Sequence, residues 1–269
     1  MNAMRYELGF LGAGNMAEAI ARAAIDSGIV KADKIIASDK AQSRLVLFAE
    51  MGVTATGVNY EVLEHARQVM IAVKPQTFGD ITGDIAQHAG DEQVYISIMA
   101  GLTTAKICEQ VGKPLRVVRV MPNTPLMAGA GMAGVALGEH ARSGDDELAL
   151  KLLRSAGEAV RVDEKLIDAI TAVSGSGPAY VFYLAEAMGQ AARELGLGDH
   201  APLLVRQTIL GAAKLMGQAD DPPAELRRKV TSPGGTTEAA IKHMETNQMR
   251  DVIVSAIKAA HARSVELGK

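Results

Sequence analysis

The sequence predicts an α/β chain in which a doubly wound parallel sheet, spanning 1–162, is followed by an all-helical domain over 163–269. Three observations predict it. An apolar run, Tyr6–Leu11, passes through a glycine turn directly into a helix. Apolar strand candidates then alternate with helices as far as Val120. From about Asp163 the strand signals vanish and the apolar residues follow helical spacing. Strands alternating with helices are the signature of a parallel sheet covered on both faces.

The elements follow in order. Tyr6–Leu11 is the first strand, and Glu18–Ile25 lies in the helix behind the turn. Lys34–Ser38 reads as the second strand, with a helix from about Gln42 to Met51. Gln68–Val73 is a buried strand ending at Lys74-Pro75, Gln93–Ile98 is another, and Leu115–Val120 a further one, each separated from the last by a helix. Ligands of such sheets bind beyond the carboxyl ends of the strands. Those ends supply Gly12 to Met16, Asp39-Lys40, Lys74-Pro75, Met99-Ala100-Gly101 and Met121-Pro122-Asn123-Thr124-Pro125. Two prolines fix the backbone around Asn123 and Thr124, at a strand end where a nicotinamide would lie.

Gly12-Ala13-Gly14-Asn15-Met16-Ala17 matches the G-x-G-x-x-A pattern in the strand–turn–helix context that gives the pattern meaning. Gly12 would make the tight turn, Gly14 would admit a pyrophosphate to the backbone, and Ala17 would pack the helix on the strand. The phosphates would rest on the helix N-terminus. The sheet is therefore expected to be Rossmann-like and to bind NAD(H) or NADP(H). Asp39, ending the second strand, would accept from a ribose 2′-hydroxyl and disfavour a 2′-phosphate. Lys40, Ser43 and Arg44 stand close enough in sequence to hold one. These residues leave NADH and NADPH both open.

In the C-terminal part Leu166–Val173 looks helical, and Ser174-Gly175-Ser176-Gly177-Pro178 reads as a helix-breaking loop facing a pocket. It is not a serine nucleophile elbow, which needs glycines two positions either side of the serine. A helix from Pro178 to Leu195 carries Val181, Leu184, Ala185, Met188, Ala192 and Leu195 on one face. The next segment, with Leu203, Leu204, Val205, Ile209, Leu210, Leu215 and Met216, is apolar on several faces. A domain of about a hundred residues cannot easily enclose such a helix, so an obligate dimer of interlocked helices is expected. Further on, Thr231-Ser232-Pro233-Gly234-Gly235-Thr236-Thr237-Glu238 turns into a helix whose free N–H groups suit a small anion. It lacks the lysine of a P-loop.

Composition narrows the classes. The chain has 269 residues, 48% hydrophobic and 22% charged, with net charge −3. No nucleic-acid or membrane surface is implied. A single cysteine, Cys108, excludes an internal disulfide and a cysteine-based metal cluster. His65, His88, His140, His200, His243 and His261 form no ligand-spaced pair, so no metal is expected. The polar N-terminus carries no targeting signal, and a cytoplasmic protein is expected.

A dinucleotide site joined to an anion cradle implies hydride transfer involving a small acid. No catalytic histidine or lysine constellation stands out. A carbonyl reductase must neutralise a developing alkoxide, whereas hydride addition to a protonated imine removes charge, so positioning and weak donors suffice.

Five segments carry a specific resemblance: Gly12 to Met16, Ala72-Val73-Lys74-Pro75, Met121 to Pro125, Ser174 to Tyr180 and Val230 to Thr237. Together they resemble the pyrroline-5-carboxylate reductases over nearly the whole chain. The resemblance implies reduction of 1-pyrroline-5-carboxylate to L-proline with NAD(P)H, the last step of proline synthesis. It implies a Rossmann domain, a helical dimerisation domain and a homodimer that commonly assembles into a decamer. The substrate carboxylate would sit on the backbone N–H groups of Gly234, Gly235, Thr236 and Thr237, with the Thr237 hydroxyl on the ring nitrogen as the catalytic contact, Ser232 among the substrate-binding residues and Glu164 lining the proline pocket. Leu11, Gly12, Ala13, Gly14, Asn15, Met16, Asp39, Asn59, Ala72, Val73, Lys74, Pro75, Met99 and Ala100 would form the cofactor site, and the substrate turn would come from the other subunit. Three positions depart from the family: Asp39 stands in place of a serine that helps hold a 2′-phosphate, Lys229 in place of an asparagine that reaches the cofactor, and Met99 in place of a small residue. The family inclines to NADPH and Asp39 to NADH. A β-hydroxyacid dehydrogenase would carry a lysine early in the helix after the glycine loop, where this chain has Val181 and no lysine before Lys214. A dinucleotide-sensing module without turnover would not need the carboxylate cradle.

Overall fold

The computed structural model describes residues 4–268. Its sheet is built from β1 (Tyr6–Leu11), β2 (Ile35–Ser38), β3 (Thr54–Thr56), β4 (Ala66–Ile71), β5 (Val94–Ser97), β6 (Arg116–Met121), β7 (Gly131–Leu137) and β8 (Gly157–Arg161). They lie in the order β3-β2-β1-β4-β5-β6-β7-β8. All neighbours are parallel except β6 and β7. The order reverses between β1 and β4, which opens a crevice at their carboxyl ends. The helices α1 (Asn15–Asp26), α2 (Gln42–Glu50), α3 (Asn59–His65), α4 (Gly79–His88), α5 (Thr104–Val111) and α6 (Glu147–Arg154) connect the strands. Two apolar clusters result, one on each face: Phe10, Ile20, Phe48 and Val118 in one, Leu11, Val62, Phe78 and Tyr95 in the other.

The strands read from apolar runs are present within a residue or two of their expected bounds. β3, β7 and β8 were not expected. β7 has the sequence Gly-Met-Ala-Gly-Val-Ala-Leu, poor in strand formers. Its glycine content has a packing cause: a Cβ on Gly134 would lie 2.6 Å from Ile170 Cδ1.

By packing, the chain forms two compact units. The first runs to Ser176 and regains the chain from Ala260 onward; the second is Gly177–Ala259. The first therefore includes α7 (Ile167–Ile170), which follows a short 3-10 turn at Glu164–Leu166. The second holds α8 (Gly177–Glu194), α9 (Ala201–Gln218), α10 (Pro223–Lys229) and α11 (Thr236–Thr246), and α12 (Met249–Leu267) runs from it back into the first.

The helix-breaking loop expected at Ser174–Pro178 is absent. Thr171–Gly175 forms a π-helical turn, closed by the Ser176 N–H on the Thr171 carbonyl at 2.8 Å, and helix resumes at Gly177. The small residues are there because Met121 Cε approaches to 2.5 Å of where a Gly175 Cβ would stand. One extra residue in the turn accommodates that contact without ending the helix.

Candidate active site

The glycine turn is built as its sequence requires. Gly12 has φ +95°, and a Cβ there would meet the Ala72 backbone at 3.0 Å. The turn is tied to its neighbours by the Gly12 N–H on Ser38 O at 2.9 Å and the Ala72 N–H on Leu11 O at 2.8 Å. Gly14 is the N-cap of α1 and offers no side-chain cap, leaving the first-turn N–H groups to a ligand. A Cβ on Gly14 would meet nothing within 4 Å. An open cradle before an uncapped, positive helix end fits a dinucleotide's phosphates.

Asp39 does more than border this cradle. Its Oδ2 accepts the Ala13 N–H at 2.7 Å and its Oδ1 accepts the Ala41 N–H at 2.8 Å. Arg44 donates to the Ala13 carbonyl and pairs with Glu18 at 2.8 Å, while Glu18 also holds Arg22 at 2.9 Å. Partial burial of Glu18 would raise its pKa, but the hydrogen bonds and charges of Arg44 and Arg22 outweigh it and hold the carboxyl below its usual range. Lys40 stands exposed, 3.4 Å from Asp80.

The structure brings Gly12, Gly14, Asn15, Met16, Asp39, Ala72, Val73, Lys74 and Pro75 to neighbouring ends of β1, β2 and β4. Met99 and Ala100 follow β5. Leu11 and Met99 are 0% and 2% exposed and pack in the core. Asn59 spends its amide inside the chain, accepting from Ser38 Oγ at 2.8 Å and donating to Asp84 at 2.9 Å. Asn123 ties the strand exit to the π-turn. It donates to the Ser174 carbonyl at 3.2 Å and accepts the Met132 N–H at 2.8 Å.

In the second unit, Gly235 caps α11 without a side-chain hydrogen bond, so the Thr236 and Thr237 amides remain open. The Gly234 N–H is already used: it donates to Glu238 Oε2 at 2.7 Å. The cradle thus carries a carboxylate of its own chain on one amide. Ser232 is exposed, and its carbonyl accepts the Gly235 N–H at 3.0 Å. Lys229 pairs with Asp221 at 2.6 Å.

Glu164 belongs to the first unit. Its carboxylate accepts the Thr104 N–H and hydroxyl, each at 2.7 Å, and lies 3.5 Å from Arg119. It caps the start of α5. Arg119, Asp168 and Glu18 escaped the sequence reading; the available signal for Arg119 was a cation in the middle of an apolar strand.

Among the described residues no cluster of histidine, cysteine and acidic side chains is suited to a metal ion, and no helix is long and apolar enough to cross a membrane.

A phosphate-binding glycine turn at the switch point of a mostly parallel sheet, followed in the chain by a helical unit, defines a nicotinamide-dinucleotide oxidoreductase. A family model described as NADP oxidoreductase, coenzyme F420-dependent, matches residues 7–101, and one described as pyrroline-5-carboxylate reductase dimerisation matches residues 164–267. The pyrroline-5-carboxylate reductase of Pseudomonas aeruginosa is 40% identical, with 97% of each chain covered. That of Pisum sativum is 37% identical, covering 97% of this chain and 96% of its own. Among solved structures, the Coxiella burnetii pyrroline-5-carboxylate reductase superposes with a TM-score of 0.89 at 36% identity, covering 98% of this chain and 99% of that one. The Plasmodium falciparum pyrroline carboxylate reductase with NADP bound gives 0.87 at 29% identity and full coverage of both. The chain belongs to the pyrroline-5-carboxylate reductase family.

Proposed function

We infer that the protein reduces the carbon–nitrogen double bond of 1-pyrroline-5-carboxylate to L-proline, the closing step of proline synthesis. The carrying observation is the pairing of a dinucleotide cradle with an uncapped helix start bearing two threonines. The nicotinamide supplies a hydride when bound. Gly12, Gly14 and the first turn of α1 hold its phosphates. The amides of Thr236 and Thr237 bind the substrate carboxylate, and the Thr237 hydroxyl orients the ring nitrogen. No stronger acid is needed, because hydride addition to a protonated imine discharges it.

NADH is the favoured cofactor in this reading. A negative Asp39 at the end of β2 repels a 2′-phosphate, and the arginine nearest to hand, Arg44, is already paired with Glu18. The functional unit is a homodimer at least. Phe182, Tyr183, Leu203 and Val252 are 62%, 75%, 66% and 61% exposed in the single chain, apolar area that a second copy would cover. Sedimentation distinguishes a dimer from a decamer. A chain with one cysteine fits the reducing cytoplasm.

Steady-state oxidation of NADH and of NADPH, each with 1-pyrroline-5-carboxylate, tests reaction and preference together. No oxidation of either overturns the reaction, and a higher kcat/KM with NADPH overturns the preference.

A further inference from the structure

Four peptide groups join Leu11 to Asn15, and each is held differently. The first, between Leu11 and Gly12, is fixed by backbone at both ends: its carbonyl accepts the Ala72 N–H at 2.8 Å and its N–H donates to Ser38 O at 2.9 Å. The fourth, between Gly14 and Asn15, opens α1, and its carbonyl accepts the Glu18 N–H at 2.9 Å. Among the described residues, side chains alone hold the two between. Asp39 Oδ2 accepts the Ala13 N–H at 2.7 Å and fixes the second. Arg44 Nε donates to the Ala13 carbonyl and fixes the third. The far end of that third group is the Gly14 N–H, which donates to no other group among the described residues.

A trans peptide aims its C=O and its N–H in opposite directions, and no cis bond occurs among the described residues. A guanidinium on the Ala13 carbonyl therefore turns the Gly14 N–H away from itself, as a donor for an anion at the start of α1. The backbone alone does not hold it so. Half a turn of this group changes ψ at Ala13 and φ at Gly14, and glycine accepts φ of either sign. The flipped group would present a carbonyl oxygen to the phosphates and repel them. Arg44 is held in its turn: its Nη2 pairs with Glu18 Oε2 at 2.8 Å, both side chains are partly buried, and Glu18 Oε1 takes Arg22 at 2.9 Å. One edge of the planar fork thus serves a carbonyl while another serves a carboxylate at a fixed angle, which a lysine's ammonium does not reproduce.

We propose that Arg44 is a positioning residue for the cofactor's pyrophosphate. It acts through the Ala13 carbonyl to aim the Gly14 N–H and, while Glu18 holds it there, is not a ligand of a 2′-phosphate. The pyrophosphate is common to NADH and NADPH, so losing Arg44 weakens both alike, whereas losing a 2′-phosphate ligand weakens NADPH alone. The inference rests on the reading of the glycine turn as a dinucleotide site, and every residue it uses lies within the first unit.

Fluorescence titration of the wild type, Arg44→Lys and Arg44→Gln with NADH and with NADPH tests it, beside thermal unfolding of the cofactor-free proteins. Arg44→Lys keeps the charge but not the fork, and Arg44→Gln keeps neither. Each is expected to raise Kd for the two dinucleotides by the same factor, roughly tenfold, the loss of one well-placed donor. A loss confined to NADPH makes Arg44 a phosphate ligand and overturns the proposal. Wild-type affinity in Arg44→Lys shows that charge suffices and overturns it too, as does a lowered Tm with both affinities unchanged. If Arg44→Lys does not fold, Arg44→Gln carries the comparison of the two dinucleotides. A wild type that binds neither NADH nor NADPH instead overturns the reading of the glycine turn.

Discussion

Gly12 and Gly14 stand two residues apart in one turn, yet alanine at each should fail differently. Gly12 has φ +95°, where a side chain is strained by about 1–2 kcal/mol. Its Cβ would meet the carbonyl carbon and oxygen of Ala72 at 3.0 Å and Val73 Cγ1 at 3.1 Å. Backbone cannot swing aside as a side-chain tip can, so crowding adds about 1–2 kcal/mol. Gly12→Ala should therefore destabilise the fold by roughly 3 kcal/mol and lower Tm by roughly 6–12 °C. Gly14 has φ −67°, and its Cβ would enter open space. Gly14→Ala should leave Tm within about 2 °C, since an unstrained, uncrowded exposed site costs little. It should still weaken cofactor binding roughly tenfold or more, because the added methyl occupies the space left for the phosphates. Thermal unfolding of the cofactor-free protein and fluorescence titration with NADH separate the two. Equal Tm losses in both variants, or undiminished cofactor affinity in Gly14→Ala, would refute the reasoning.

Four further outcomes are expected. Thr237→Ala should lower kcat/KM roughly ten- to a hundredfold by removing one hydrogen bond of about 1–3 kcal/mol, with cofactor affinity unchanged in a binding titration. Glu238→Gln weakens the internal hold on the Gly234 amide and should lower KM for 1-pyrroline-5-carboxylate about two- to fivefold; a raised KM would show that the carboxylate supports the turn rather than competing for it. Glu18→Gln loosens Arg44 and should raise the NADPH-to-NADH ratio of kcat/KM roughly two- to fivefold, read in parallel steady-state assays. Burial works to raise the pKa of Asp145, but its hydrogen bonds from Arg116 and Arg142 prevail and depress it, so its contribution is complete above about pH 4 and disappears as pH falls through the lowered folded value. Urea unfolding from pH 6 to pH 2.5 should show that acid limb in the wild type and a shallower one in Asp145→Asn.

Much of the fold was legible because its core strands are continuous apolar runs. β1, β4, β5 and β6 are buried on both faces, and burial on both faces is what writes such a run into a sequence. β7 and β8 were not legible. Gly134 sits in β7 because Ile170 presses against it, a fact of tertiary packing that no local propensity carries. The π-turn was misread for the same reason. Ser-Gly-Ser-Gly signals a break locally, whereas Thr171–Gly175 closes a π-turn on its own backbone, and Asn123 from a distant strand exit donates to Ser174 within it.

The anion sites show where such reading stops. Both cradles were visible as turns before uncapped helices, and the argument from free N–H groups treated every amide as available. In each, the chain has already spent one on a carboxylate of its own. Asp39 takes the Ala13 amide and Glu238 takes the Gly234 amide. These two carboxylates also place a negative charge beside the positive end of a helix, which stabilises the uncapped turn when no ligand is bound. An arriving phosphate or carboxylate must therefore do more than fill a positive hole. It has to form better bonds than an anion already present, or use the amides that anion leaves. In α11 those are the amides of Thr236 and Thr237, so on the proposed reading the threonines, rather than the glycines before them, would set substrate affinity.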